Sequence, residues 1–342
     1  MTAQAERMQA IRVAGGLDDL LAGATDVRPL FTGDGKSGSR MERLSIGGVS
    51  HVLKHLDLDE SWLMRCSGDL GQRQLLLFGS GLLDALPRCI DHAVVAVAPE
   101  RTATGRPGTA LLMRDVGADL VPEGGTPIGA EQELRFLDAM AALHASYHGF
   151  EGNDLLMSLA MHYTFLSEAT AAVEAARGGT DVVPPLIAAG WSRLDSLTPG
   201  VARLVRGLLD DPSALVLALE RTPQTLVHGD WKLGNMGAGP DGRTILLDWD
   251  RVSRGPATLD LAWYLAINSD RLTRPREALI DHYRSRLEAH GVDTAGWFEA
   301  QLELALVGAF VQLGWEKLLG GNPVELGWWD ARVGAAAALL GG

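Results

Sequence analysis

The period of the hydrophobic pattern changes once along this chain, near residue 117, and that change limits the fold more than any other feature. Before it, apolar residues alternate over 27–32, 41–46, 51–56, 93–98 and 109–113, the two-residue period of half-buried strands. After residue 130 they recur every three or four positions over 130–148, 154–177, 186–209, 259–269, 275–290 and 297–319, the period of helices packed on one side. Strands first and helices afterwards place the chain in the α+β class. Gly47 and Gly48 read as a tight turn between the second and third strands, which makes the sheet antiparallel at its start. Five strands are expected, with residues 60–86 as one inserted helix that Gly68, Gly71, Gly79 and Gly81 weaken. Residues 1–23 read as a short amphipathic helix. The Gly- and Pro-containing stretch 117–129 is the expected linker, so the chain divides into 1–116, 117–129 and 130–342.

At 342 residues and 46% hydrophobic content, the chain is long enough and apolar enough to bury two cores. A formal charge of −13 repels phosphate backbones and anionic bilayers, so neither nucleic acid nor a membrane is an expected partner. No basic stretch leads into an apolar run at the start, and the longest apolar run, 304–313, is too short to span a bilayer. A cytoplasmic protein is expected. Cys66 and Cys89 lack CxxC spacing, so they are read as buried thiols rather than a disulfide or zinc ligands.

The chemistry is concentrated between residues 225 and 250. Two short apolar runs, 225–227 and 245–247, separated by a polar loop and a Gly-Pro-Asp-Gly turn, read as a small hairpin that gathers Asp230, Asn235 and Asp248 at one edge. Phosphoryl transfer asks for such a set: one carboxylate to orient the attacking hydroxyl and oxygen ligands to hold Mg²⁺ against phosphates. His228 through Asn235 then resembles the HGDxxxxN loop of aminoglycoside and choline phosphotransferases, and Asp248 to Asp250 resembles the metal-binding segment that accompanies it. That resemblance implies a bilobal, protein-kinase-like fold and a small-molecule kinase using ATP or GTP with Mg²⁺. It implies Asp230 as the catalytic carboxylate, Lys232 on the transferred phosphate, Asn235 and Asp248 as metal ligands, and His228 and Asp260 as structural supports of the loop. Upstream it implies nucleotide contacts from Gly33, Gly35, Lys36 and Ser37 in a glycine-rich loop, from Lys54 on the third strand, and from the backbone of Arg114 and Val116 at a hinge.

A Walker A loop is excluded, because the glycine it needs five residues before Gly35 is replaced by Leu30 and a strand follows instead of a helix. Only eleven residues separate Asp248 from Asp260, too few for the segment on which protein kinases dock peptides, so the acceptor is a small hydroxylated molecule: an aminoglycoside, a nucleoside antibiotic, an amino sugar or a related metabolite, with antibiotic resistance as one role. The tryptophan-rich segments around Trp315, Glu316, Trp328 and Trp329 read first as helix packing, and no acceptor-binding residue is assigned. One expected piece is missing. The helix after Lys54 offers Gln72 and Gln74 where related kinases carry a glutamate to pair with the lysine, leaving Asp69 or Glu60 as substitutes. That gap motivates a second reading, a nucleotide-binding pseudokinase acting as a regulatory or scaffolding module. Oligomeric state is not legible in the sequence.

Overall fold

The computed structural model describes residues 11–31, 39–70 and 72–340. Its first part is a sheet built from β1 (Arg12–Val13), β2 (Ala24–Pro29), β3 (Met41–Ile46), β4 (Val49–Leu56), β6 (Val94–Arg101) and β7 (Pro107–Arg114), with a two-residue β5 (Ile90–Asp91) standing apart. The order is β1-β6-β7-β4-β3-β2. Among the described residues the sheet therefore has six strands and is mixed, not five and antiparallel: β1 runs parallel to β6 while the other pairs are antiparallel. The extra strand falls within the stretch expected to be helical, of which the described part forms only β1 and a four-residue helix α1 (Leu17–Leu20). Two residues are enough for a strand here because the Ala14 N–H extends the pairing, reaching the Val97 carbonyl at 2.8 Å. Gly47 and Gly48 sit at φ 58° and 80°, the left-handed pair that a two-residue hairpin requires, and Ile46 faces Val49.

The single helix expected over 60–86 is broken into α2 (Trp62–Cys66), α3 (Arg73–Gly79) and a 3₁₀ turn, Leu82–Ala85. Gly68 and Gly81 cause the breaks, with φ of 65° and 74° that no helix tolerates. The Ser61 hydroxyl caps α2 by accepting the Met64 N–H, and the Asp69 carboxylate starts α3 by accepting the N–H groups of Gln72 and Arg73.

The remainder is mainly helical: α4 (Ala130–Ser146), α5 (Leu159–Thr164), α6 (Glu168–Ala176), α7 (Val183–Trp191), α8 (Pro199–Asp210), α9 (Ser213–Glu220), α10 (Thr258–Ile267), α11 (Arg276–Ala289), α12 (Phe298–Gly320) and α13 (Pro323–Ala336). The long helix expected over 154–177 is two, because Ser167 turns its side chain back to cap α6. The one expected over 186–209 is also two, with Pro199 opening α8. Between α9 and α10 lie four short strands, β8 (Gln224–Val227), β9 (Met236–Ala238), β10 (Thr244–Leu246) and β11 (Ser253–Pro256). The hairpin is β9 with β10, whereas β8 pairs antiparallel with β11, so the two apolar runs that the sequence places in one hairpin belong to two separate pairs.

Strand alternation decides which side chains face the helices. On β4, Val52, Lys54 and Leu56 point to the inner face, whose apolar residues continue without interruption into the helical core. Leu53 points outward, where it joins Leu44, Ala98, Ala110 and Leu112 under the Leu20 side chain. Lys54 is thus carried, 5% exposed, to the junction of sheet and helices. The cysteines differ from expectation: Cys66 is half-buried and Cys89 is exposed, because Cys89 lies in the loop just before β5. Among the described residues no helix is long and apolar enough to cross a membrane.

Candidate active site

The loop between β8 and β9 is held from beneath by one buried carboxylate. Asp260, in the first turn of α10, accepts the His228 N–H at 2.8 Å and the Gly229 N–H at 2.7 Å, and His144 of α4 donates to it at 3.1 Å. Burial alone would raise the Asp260 carboxyl, but these donors hold it below its usual value, so it stays charged. Gly229 has φ of 79°, and a Cβ there would lie 2.4 Å from the Arg251 carbonyl oxygen, so no other residue fits. His228 donates from Nε2 to the Leu247 carbonyl at 2.9 Å and accepts the Asp230 N–H on Nδ1 at 3.2 Å. Burial depresses its basicity and the two bonds require the neutral ring. The ring therefore ties the loop to the residue preceding Asp248.

This frame aims Asp230 into a set of donors. Its Oδ2 receives Asn235 Nδ2 at 3.0 Å and Lys232 Nζ at 3.0 Å; its Oδ1 receives Arg251 Nη1 at 3.2 Å. Burial opposes the charge, but the Lys232 ammonium and the Arg251 guanidinium outweigh it and hold the carboxyl at about 2. Arg251 is 3% exposed, with its guanidinium 4.5 Å from the Phe165 ring and 4.1 Å from the Trp263 ring.

Asp248 follows β10 and Asn235 precedes β9, so the hairpin brings them together; the Leu247 N–H donates to the Asn235 carbonyl at 2.8 Å. Asp248 adopts φ 60° and ψ 66°, a left-handed conformation rare outside glycine, which its surroundings must impose. Its Oδ1 accepts Lys54 Nζ at 2.6 Å. Burial disfavours both charges, but each partner stabilises the other, moving the lysine up and the aspartate down. Asp250 has the opposite fate. Its Oδ1 is buried without a hydrogen-bond partner, and burial, helped by the charges of Asp248 and Asp230, pushes the carboxyl up to about 6.

Among the described residues no cluster of three or more His, Cys, Asp or Glu side chains is arranged to hold an ion. The available donor set is instead two carboxylates and one amide. The Asn235 amide nitrogen is turned to Asp230, leaving the amide oxygen on the other branch, and Asp250 Oδ1 is buried with no hydrogen-bond partner. Hard oxygen donors with an unmet negative charge fit Mg²⁺, with Asn235, Asp248 and Asp250 as the residues that could hold it.

The structure thus brings together Lys54, His228, Asp230, Lys232, Asn235, Asp248 and Asp260. Gly33, Gly35, Lys36 and Ser37 lie outside the described residues. At the expected hinge the Arg114 N–H bonds to the Ala93 carbonyl and its side chain pairs with Asp91, while the Val116 carbonyl accepts the Asp119 N–H; Val116 is buried. Neither Asp69 nor Glu60 pairs with Lys54, whose partner is Asp248. The helix that lacks a glutamate is joined to the site differently: Arg73 of α3 donates to the Asp250 carbonyl at 2.9 Å and to the Ser67 carbonyl at 2.9 Å. Trp329 is fully buried, and Arg276 lies 4.4 Å from the Trp328 ring, so both pack helices.

Sequence reasoning missed Arg251, Arg73 and Asp250 as members of the site. Asp250 lies inside the Asp248 to Asp250 segment without a role assigned to it there, and Arg251 directly follows; charged residues so close to the apolar run 245–247 were the available signal. Arg73 gave none, because its partner is a main-chain carbonyl.

The model of the phosphotransferase enzyme family matches residues 82–297, more than half of the chain. No curated protein matches. Among solved structures, a choline kinase from Streptococcus pneumoniae is 15% identical over 94% of this chain and 95% of its own, with a TM-score of 0.47. An aminoglycoside-3'-phosphotransferase of type VIII is 20% identical over 84% and 94%, with a TM-score of 0.47. A macrolide 2'-phosphotransferase of type I is 16% identical over 90% of each chain, with a TM-score of 0.44.

Proposed function

The chain belongs to the phosphotransferase enzyme family, and from that premise we propose that it transfers the γ-phosphate of ATP or GTP to a hydroxyl of a small molecule that Asp230 orients. The acceptor class we propose is an aminoglycoside or nucleoside antibiotic, an amino sugar or a related metabolite, with resistance as one role and the cytoplasm as its setting. The observation that carries the reading is the contrast around Asp230: a buried carboxylate held charged by three donors, beside Asp250, whose Oδ1 is buried with no hydrogen-bond partner.

A carboxylate held at about 2 is a weak base, so Asp230 aligns the acceptor hydroxyl and receives its proton only late, as suits a loose transition state with little bond formation to the nucleophile. Lys232, at 3.0 Å from Asp230, can follow the phosphoryl group as its charge moves toward the acceptor. Lys54 would exchange its bond to Asp248 for the nucleotide's phosphates, freeing that carboxylate. Mg²⁺ held by Asn235, Asp248 and Asp250 would neutralise phosphate charge. In this reading residues 1–116 form the nucleotide lobe, 117–129 the linker and 130–342 the catalytic and acceptor lobe, with Gly33, Gly35, Lys36 and Ser37 over the phosphates and the Arg114 and Val116 backbone at the base.

The pseudokinase reading keeps one observation in its favour: α3 carries no carboxylate, and Lys54 is satisfied by Asp248. A coupled assay of nucleoside-diphosphate release separates the two. ATP and GTP are tested with Mg²⁺ against aminoglycosides, nucleoside antibiotics, amino sugars and choline, and a stimulated rate with a phosphorylated product in the mass spectrum is the expected result. Nucleotide binding with no turnover on any acceptor would instead favour the pseudokinase.

A further inference from the structure

Helix α12 is apolar along most of its length, yet two glutamines, Gln301 and Gln312, are buried in it at 0% and 2% exposure. Eleven residues is three helical turns, so both lie on one stripe of the helix. That stripe packs on α10 and the site. Gln301 bonds Thr258, where α10 begins, and Thr222 and Pro223, just ahead of β8. Gln312 accepts Arg251 Nη2 at 3.1 Å on Oε1. Its Nε2 donates back to the Gly308 carbonyl at 3.3 Å, so the amide can present only its oxygen to Arg251.

We propose that Gln312 is a positioning residue for the transfer reaction: it sets the roll of the Arg251 guanidinium so that one N–H, and not the whole fork, meets Asp230. The proposal rests on the reading that Asp230 orients the acceptor hydroxyl. An arginine facing a carboxylate prefers to engage both oxygens with two parallel N–H groups. Here Nη1 reaches Oδ1 only, while Oδ2 is left to Asn235 and Lys232. Phe165 and Trp263 confine the guanidinium between their rings, and its Nε has no partner, so the remaining freedom is rotation of the fork. Gln312 removes that freedom. Without it the fork can turn onto both oxygens of Asp230, displacing Lys232 or Asn235 and occupying the lone pair that the acceptor hydroxyl needs. The support beneath is stiff: a Cβ on Gly308 would lie 2.4 Å from the Tyr163 ring, so α12 and α5 are in close contact one turn from Gln312.

The test is a double-mutant cycle on the full-length chain, with Gln312→Leu, Arg251→Lys and the pair together. The expected result for Gln312→Leu is a fall in kcat on the order of ten- to a hundredfold, with the KM for nucleotide unchanged within about threefold. Because Gln312 acts through Arg251, the double variant should be no slower than Arg251→Lys alone. A Gln312→Leu enzyme with wild-type kcat per folded molecule, or effects that multiply in the double variant, would overturn the proposal. If Gln312→Leu does not fold, Gln312→Ser removes the acceptor without placing apolar bulk on the guanidinium and is judged by the same criteria. If the wild-type protein itself shows no transfer, the functional reading fails separately. Crystal structures then decide the positioning role: a fork turned onto both Asp230 oxygens in Gln312→Leu supports it, and an unmoved Arg251 overturns it.

Discussion

Asp230 and Asp250 share one site and one kind of side chain, but the protein treats them oppositely. Asp230 receives three donors and is held charged at about 2; Asp250 keeps a buried oxygen without a partner and is pushed up to about 6. The difference lies in what surrounds them. The loop carrying Asp230 is clamped by Asp260 and His228 and faces Lys232, Asn235 and Arg251. Asp250 lies in a 3₁₀ turn, and Lys54, the cation that does most to lower its carboxyl, is bonded to Asp248. A carboxylate already satisfied by protein can hold a hydroxyl in line, whereas one that is unsatisfied has an affinity to spend on a cation from solution.

Removing the satisfied carboxylate should have the largest effect. Asp230→Asn keeps the shape and loses the charge, and kcat is expected to fall by on the order of a thousandfold or more, since the group acts in the transition state. Nucleotide affinity measured by calorimetry should stay within a few-fold. Near-normal turnover in Asp230→Asn would erase the distinction between the two carboxylates.

The clamp beneath Asp230 comes next. Gly229→Ala must place a methyl group against the Arg251 carbonyl and adopt a left-handed φ, and we expect a loss of about 3 kcal/mol or more in chemical denaturation. A loss under about 1 kcal/mol would show that the loop can shift, and that Asp230 is held by its donors and not by the backbone.

How much of this contrast was legible in sequence depends on distance along the chain. His228, Asp230, Lys232 and Asn235 fall within eight residues, and their order is itself the signal. Asp260 was legible only through the family resemblance, which implies an acidic support beneath the loop. Gln312 and Arg73 were not, because each meets the site across many residues and a single partner, and nothing local marks a buried glutamine on an apolar helix as different from a solvated one. The sheet shows the same limit. Strands of five or more alternating residues were readable, while β1, two residues long and held by parallel pairing with Val97 and Ala96, exists only because a distant edge accepts it. The helix over 60–86 misled for a related reason: its residues favour helix, and only the positive φ at Gly68 and Gly81 divides it.

Asp250→Asn tests the unsatisfied side. It removes a charge the fold does not compensate, so the variant should be more stable than wild type at pH 7 by about 1–2 kcal/mol in urea unfolding without Mg²⁺. It should also bind Mg²⁺ with nucleotide roughly tenfold more weakly, because one oxygen ligand loses its charge. Stability and metal affinity moving in opposite directions is the outcome that keeps the comparison intact; a variant that is less stable and binds metal normally would reverse it.

The smallest effect is the pH dependence of that same difference. For Asp250 the folded value, about 6, lies above the unfolded one near 3.9, so the unfolded chain binds fewer protons in this window and the carboxylate's contribution to stability declines as pH rises from about 4 to about 6. Asp230 has the other sign: its contribution is present above about 4 and is lost only as pH falls toward 2. Buried His162, held down at about 3 first by its burial, adds stability with rising pH up to its unfolded value near 6.5 and would mask the slope in wild type alone. Subtracting the wild-type curve from that of Asp250→Asn cancels both. The gap should be near zero at pH 4, grow to its full value of about 1–2 kcal/mol by pH 7, and shrink when Mg²⁺ and nucleotide are present, because a bound cation supplies the partner that Asp250 lacks. A gap that is flat from pH 4 to pH 7 would mean that Asp250 ionises as an ordinary surface carboxylate, and the two aspartates would then differ in their neighbours without differing in their chemistry.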